Sequence, residues 1–271
     1  MSNLQLRVIS ALVLAVVVLG LTWLGGLPFR ILSAAIAAAV FFEWCAMART
    51  AANASFQWLI AAFLAVVLVA LVAGYSAPAV LAVFGLALIV SVVSGLVRGQ
   101  GAWTSAGLAY AGLSALSVAF LRDSDSSGLV AILFLFAVVW ATDILAYFVG
   151  KAVGGPKLAP SISPGKTWSG AIGGTVGGMV AGLAVAAASG STGLPLMVGV
   201  ALFLSIVSQI GDLFESWVKR RHGVKDSGNL IPGHGGVMDR VDGLVAAALA
   251  LYVICMTLGG MDHPAHGLFP A

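Results

Sequence analysis

Apolar residues run through this chain in long blocks rather than in alternation. Nine stretches of roughly the 20 residues that an α-helix needs to cross a bilayer fall at 6–24, 29–47, 56–74, 77–97, 102–121, 127–149, 168–190, 194–216 and 240–260. Turn-forming and polar residues separate them: Gly25-Gly26 with Pro28, Ala51 to Ser55, Gly74 to Pro78, Arg98 to Gly101, Arg122 to Ser127, Lys151 to Thr167, Ser191 to Pro195, and a charged segment after the eighth. The predicted fold is all-α: a polytopic integral membrane helix bundle of about nine transmembrane helices, in one membrane domain over 1–271. Only Gly74-Tyr75-Ser76 parts the third block from the fourth, so these two form a tight antiparallel pair.

Composition removes the soluble alternative. The 271 residues are 61% hydrophobic and 8% charged, against about 25% charged in a soluble domain. A net charge of +3 is too small to argue for nucleic acid, and the cations have a topological explanation. With the N-terminus and the even-numbered loops on one side, that side holds Arg7, Arg49, Arg98, Lys151, Lys157, Lys166, Lys219, Arg220, Arg221, Lys225 and Arg240. The other side holds Arg30 and Arg122. Eleven against two puts the N-terminus in the cytoplasm and the C-terminus outside. The first block is longer than a signal-peptide core and no small-residue cleavage site follows it, so it is expected to be retained. Cys45 and Cys255 sit inside apolar blocks and read as small core residues.

The acids follow that topology. Glu43, Asp143, Asp212, Glu215, Asp226, Asp239 and Asp242 fall in the cytoplasmic half, whereas Asp123, Asp125 and Asp262 fall in short exterior loops. Ten of the 23 charged residues lie between Asp212 and Asp242. Ionisable groups are costly in or beside a bilayer, so such a cluster marks a functional site. Asp239 and Asp242 stand three apart at a helix start, and Asp212 and Glu215 have the same spacing at a helix end. Paired carboxylates with cations between them point to a metal-dependent phosphate site, since hard divalent ions take carboxylate and phosphate oxygens. Helix-end ion pairing accounts equally well for Glu215 with Lys219.

Three further stretches carry chemistry. Gly233-His234-Gly235-Gly236 lets backbone N–H groups approach a phosphate, and His234 offers a hydrogen bond or a proton, or is simply a turn residue. Ser161 to Thr167 looks like the end of a P-loop, but Pro160 stands where its first glycine belongs. The loop is still a seat for phosphate through Lys166 and the helix start behind it, or an ordinary helix-capping loop. Gly170, Gly174, Gly178 and Gly182, with Gly173 and Gly177 beside them, make a smooth strip that suits packing within the bundle or a homodimer interface.

The residues Ser216-x-Val218-Lys219-Arg220, Lys225-Asp226-x-Gly228 and Ile231-Pro232-x-His234-Gly235-Gly236-Val237-x-Asp239-Arg240-Val241-Asp242 form one pattern spanning 27 positions. It resembles the pattern of the phosphatidate cytidylyltransferase (CDP-diacylglycerol synthase) family. Asp143 with Ala146-Tyr147-Phe148 and Gly150-Lys151, and the Ser163-Pro164-x-Lys166-Thr167 loop, also look like that family, so the likeness covers about 143–242. The first five blocks match only as a hydrophobic bundle. The resemblance implies transfer of the cytidylyl group of CTP to phosphatidic acid, giving CDP-diacylglycerol and pyrophosphate with Mg²⁺, in phospholipid biosynthesis.

On that basis the expected metal ligands are Asp212 and Asp239, with Asp242 and Asp143 in support. Lys219, Arg220, Lys225 and Arg240 are expected on CTP or lipid phosphates; Ser163, Lys166 and Thr167 on the headgroup or pyrophosphate; and His234, Gly235 and Gly236 at the nucleotide, with Ser216 and Asp226 beside them. Residues 122–271 would form the catalytic part and 1–121 a lipid-facing one, in a bacterial plasma membrane with the site toward the cytoplasm. The rivals are a CTP-dependent kinase or a cytidylyltransferase for another membrane lipid, and a transporter. Against transport, the acids gather at one face rather than at the midplane.

Overall fold

The computed structural model describes residues 3–47, 54–231, 233 and 235–269. Among these, the long helices are α1 Asn3–Leu24, α2 Gly26–Met47, α3 Ala54–Ala73, α4 Ala77–Val97, α5 Trp103–Arg122, α6 Ser126–Val153, α7 Trp168–Ala188, α8 Leu194–Arg221 and α9 Met238–Gly259. Eight of them, α2 to α9, are long and apolar enough to cross a membrane; the apolar part of α1 is Ile9–Leu24. The chain is an integral membrane helix bundle.

Helix ends depart from the apolar blocks where local chemistry outweighs hydropathy. The second helix begins at Gly26 because Pro28 fits its first turn, where a missing N–H costs nothing. Helices α6 and α8 continue for 28 residues each, to Val153 and Arg221, well beyond the predicted ends at 149 and 216. The stretch read as an open loop after the sixth block contains an antiparallel hairpin, β1 Lys157–Ala159 with β2 Ser163–Thr167, pairing Lys157 with Thr167 and Ala159 with Ser163.

Two compact units emerge: residues 1–120 with 222–240, and residues 121–221 with 241–271. In the first, α3 buries Phe56, Ile60, Leu64, Val67 and Leu71 along one stripe and leaves Trp58, Val66 and Val69 exposed. A helix apolar on both faces suits a bundle whose outer surface meets lipid. Trp44 of α2 anchors α5, donating from its indole nitrogen to the Trp103 carbonyl at 2.8 Å and stacking on Tyr110. Gly107 makes room, since a Cβ there would lie 2.5 Å from the Trp44 ring.

In the second unit α6 and α7 pack backbone to backbone along the glycine strip. A Cβ on Gly170 or Gly174 would stand 2.6 Å from the carbonyl of Ala146 or Thr142, and one on Gly178 would stand 2.4 Å from the Thr142 hydroxyl. The strip is therefore covered by α6 within the chain. Thr142 also bonds Ser205 of α8 at 2.8 Å, which ties the three helices together.

Candidate active site

Close approach of α6 and α7 decides where the first acid sits. Asp143 lies on α6 one residue after Thr142, at the glycine contact, and its side chain opens into a cavity of about 540 Å³. The β-hairpin and the α7 start form the opposite wall with Lys157, Lys166 and Thr167, and α8 contributes Gln209 and Asp212. The extended end of α6 adds Tyr147 and Lys151, whose ammonium stands 5.8 Å from the Tyr147 ring centre. Three lysines and two carboxylates thus line one cavity inside the second unit.

Its walls are held by short-range contacts. Thr167 caps α7, accepting from the Gly170 N–H at 3.1 Å. Ser169 donates to the Gly154 carbonyl and fixes the α6 end against the α7 start. Gln209 donates to the Thr175 hydroxyl at 3.0 Å and the Ser205 carbonyl at 3.3 Å. Lys166 forms an ion pair with Asp212, which also accepts from Ser216 at 3.4 Å. Asp242, in the first turns of α9, lies within electrostatic reach of Asp212, Asp143 and Lys166. Gly211 and Gly243 let α8 and α9 close up: a Cβ on Gly243 would meet the Ser208 carbonyl at 2.9 Å.

Three carboxylates from three helices, Asp143, Asp212 and Asp242, thus lie within electrostatic reach of the Lys166 ammonium, which pairs directly with Asp212. All-oxygen carboxylate donors are the kind that a hard divalent cation such as Mg²⁺ takes. The carboxylates are not drawn together to ligand spacing. Among the described residues, the one group with three ligand atoms mutually within 4.8 Å is Asp125, His263 and His266.

The other sequence-predicted residues have different surroundings. Asp239 belongs to the first unit, where its carboxylate is engaged by its own loop: it accepts from the Gly236 N–H at 2.9 Å, and from the N–H and hydroxyl of Ser227 at 3.0 Å each. Gly235 takes a left-handed conformation, φ 83°, to close the Ile231–Gly235 turn. Lys225, Asp226 and Arg240 are exposed on the same unit. Lys219 pairs with the buried Glu215 at 2.6 Å. Arg220 donates to the Ile162 carbonyl and braces the hairpin from α8. Ser163 starts β2, half-buried. His234 and Pro232 lie outside the described residues.

Glu43 was missing from the expected site. It is 1% exposed and reaches from α2 to the loop before α9, accepting from the Val237 and Met238 N–H groups at 2.8 Å and from Ser227 at 3.0 Å. A Cβ on Gly228 or Gly236 would strike its carboxylate. These glycines therefore serve close packing on an acid. Lys151, Lys157 and Gln209 are the other lining groups that the sequence left as topological or core residues.

The family model for the cytidylyltransferase family matches residues 5–258. The chain belongs to this family. Its relatives include the phosphatidate cytidylyltransferase of Brucella suis, 50% identical over 270 residues and covering 97% of each chain. That of Brucella abortus is 52% identical over 259 residues, 93% of each chain. That of Bacillus subtilis is 41% identical over 141 residues, 49% of this chain and 50% of its own. The matched family range covers the nine long helices but for two residues at the start of α1 and one at the end of α9, so the first five helices are family sequence as much as the charged segment is.

Proposed function

We propose that this chain transfers the cytidylyl group of CTP to phosphatidic acid, releasing pyrophosphate and leaving CDP-diacylglycerol in the membrane. The observation that carries the reading is the junction of two surfaces in the second unit. The cavity with Asp143, Lys166 and Asp212 shares Leu158, Ala171 and Gln209 with an apolar groove of about 570 Å³ between α7 and α8. Trp168, Ile172, Val176 and Ile210 of that groove are exposed. A substrate with a charged phosphate on acyl chains matches such a junction: chains along the groove, phosphate among the lysines.

In the reaction, a phosphate oxygen of the lipid bonds to the α-phosphorus of CTP, and the bridging bond to the β-phosphate breaks. The lipid phosphate is already anionic near neutral pH, so no strong base is needed. The protein's task is positioning and charge neutralisation. Lys166 and Lys157 of the hairpin and Lys151 of α6 line the cavity as cations for phosphate oxygens. Asp143, Asp212 and Asp242 would hold Mg²⁺. Mg²⁺ bound there supplies neutralisation of the triphosphate and of the departing pyrophosphate. Lys166, paired with Asp212, is placed to hold a substrate phosphate oxygen.

The charge bias of the loops and the bacterial relatives support a plasma-membrane protein with this cavity toward the cytoplasm, where CTP is. The test is product formation from labelled CTP and phosphatidic acid in detergent micelles, with Mg²⁺ titrated. Asp212→Asn and Lys166→Gln are each expected to lower kcat/KM by about 100-fold or more. Near-normal turnover in both would remove the cavity from the reaction, and absence of CDP-diacylglycerol from folded wild-type protein would overturn the substrate assignment.

A further inference from the structure

Far from the cavity, the second unit holds a cluster that the transferase reaction does not use. Asp125 precedes α6, and its separation from Asp143 along that helix is about 27 Å at 1.5 Å per residue. Around it gather Asp123, His263 and His266. The histidines flank Pro264-Ala265 on a 3-10 turn, Pro264–Gly267, where residues three apart eclipse each other. Their rings stack 5.2 Å apart, tilted by 14°.

The scaffold under these side chains is rigid. Asp125 uses Oδ1 to cap α6, accepting from the Gly128 N–H at 2.8 Å, which leaves Oδ2 toward His266. Arg122, 3% exposed, pins the loop by donating to the Asp125 carbonyl at 3.1 Å and the Asp123 carbonyl at 3.5 Å. On the tail side Phe269 is buried against Phe134, and Gly259 and Gly267 are in backbone contact. Neither wall depends on the histidine–aspartate contacts for its position.

We propose that Asp125, His263 and His266 form a binding site for a first-row transition ion, Zn²⁺ in the first instance, that staples the C-terminal tail to the α5–α6 turn. Their ligand atoms lie within 4.8 Å of one another. Two imidazoles and a carboxylate are a set that Zn²⁺ takes and Mg²⁺ does not favour. Asp123 completes the arrangement. It bonds His263 Nδ1 at 2.6 Å, which leaves Nε2 with the lone pair, as carboxylates behind metal-bound histidines do. Two carboxylates against the one Arg122 guanidinium leave the cluster attractive to a cation.

The aspartate–histidine contacts are tighter than two ligands of one ion, which stand about 3.3 Å apart around a tetrahedral centre. The imidazole side chains are 61% and 45% exposed, so they have room to part. Hydrogen bonding and charge from Asp123 hold His263 above the usual imidazole range.

The test uses tag-free full-length protein in detergent, stripped with a chelator and dialysed against Zn²⁺. About one Zn²⁺ per chain is expected by mass spectrometry, with a thermal midpoint that rises with Zn²⁺ at fixed saturating Mg²⁺. The double variant His263→Gln, His266→Gln should lose both effects and keep CDP-diacylglycerol formation. No retained Zn²⁺ in the wild type, or equal retention in the double variant, would overturn the proposal and leave two ion pairs as the whole purpose of the cluster. Should the double variant not fold, the visible absorption of Co²⁺-loaded wild type decides. A tetrahedral nitrogen–oxygen spectrum supports the site, and a hexa-aquo spectrum refutes it.

Discussion

Lys166 and Glu43 show how one charged side chain can organise a greasy chain. Lys166 pairs with the Asp212 carboxylate and stands within electrostatic reach of Asp143 and Asp242. A lysine there keeps three acids from repelling one another before substrate arrives. Glu43 works in the opposite sense, as the anion at the α9 N-terminus, where two backbone N–H groups lack helical partners. Replacing it with alanine strands those two donors and removes one of the two acceptors of the Ser227 hydroxyl. Glu43→Ala should lose about 2–4 kcal/mol of stability, seen as a lower thermal midpoint in detergent. It should also raise KM for CTP through the 227–236 loop. An unchanged midpoint would show that the loop does not rest on Glu43.

At the scale of elements, the α6–α7 pair fixes the cavity. Gly174 is the tightest test of it, because an added side chain meets backbone, the Thr142 carbonyl, rather than a movable group. Gly174→Leu should separate the helices beside Asp143 and abolish activity, with overpacking costing about 1–3 kcal/mol or more. Gly193→Ala, with open space around it, should leave activity and stability as they are. The glycine strip was plain in the sequence as a repeat of four, but its partner was not, since a smooth face suits a second chain as well as a neighbouring helix. The hairpin was invisible because KLAPSISPGKT has no alternation and carries Pro160 and Pro164. Lys157 was read as a topological charge, and Lys151 as that and as part of a family-like stretch with no role given. Only the extension of α6 and the folding back of β1 turn them toward Asp212.

At the largest scale, hydropathy sufficed to place the nine long helices among the described residues, eight of them long and apolar enough to cross a membrane, because such spans announce themselves by length. Contacts between distant positions were beyond its reach: Glu43 meets Ser227 across 184 residues, and Asp123 meets His263 across 140. The charge bias gives the expected sidedness a direct test. A periplasmic-reporting enzyme fused after the C-terminal residue should be active in cells, and one fused at the 98–101 loop should be silent. The reverse pattern would put the cavity on the wrong side for CTP.

The 28-residue reach of α6 and α8 has a consequence for where the chemistry happens. At 1.5 Å per residue each rod is about 42 Å long, against a hydrocarbon slab of about 30 Å. With the surplus on the cavity side it would act as a depth gauge, suspending Lys151 and the α8 carboxylates at the level of the headgroups, where a lipid presents its phosphate without leaving its leaflet. Vertical alignment then becomes a variable of the reaction. In vesicles built from phosphatidylcholines of stepwise longer acyl chains, turnover at saturating CTP should pass through a maximum as the slab thickens past the gauge. A flat profile would mean that the rods tilt to compensate and that depth is not what they set.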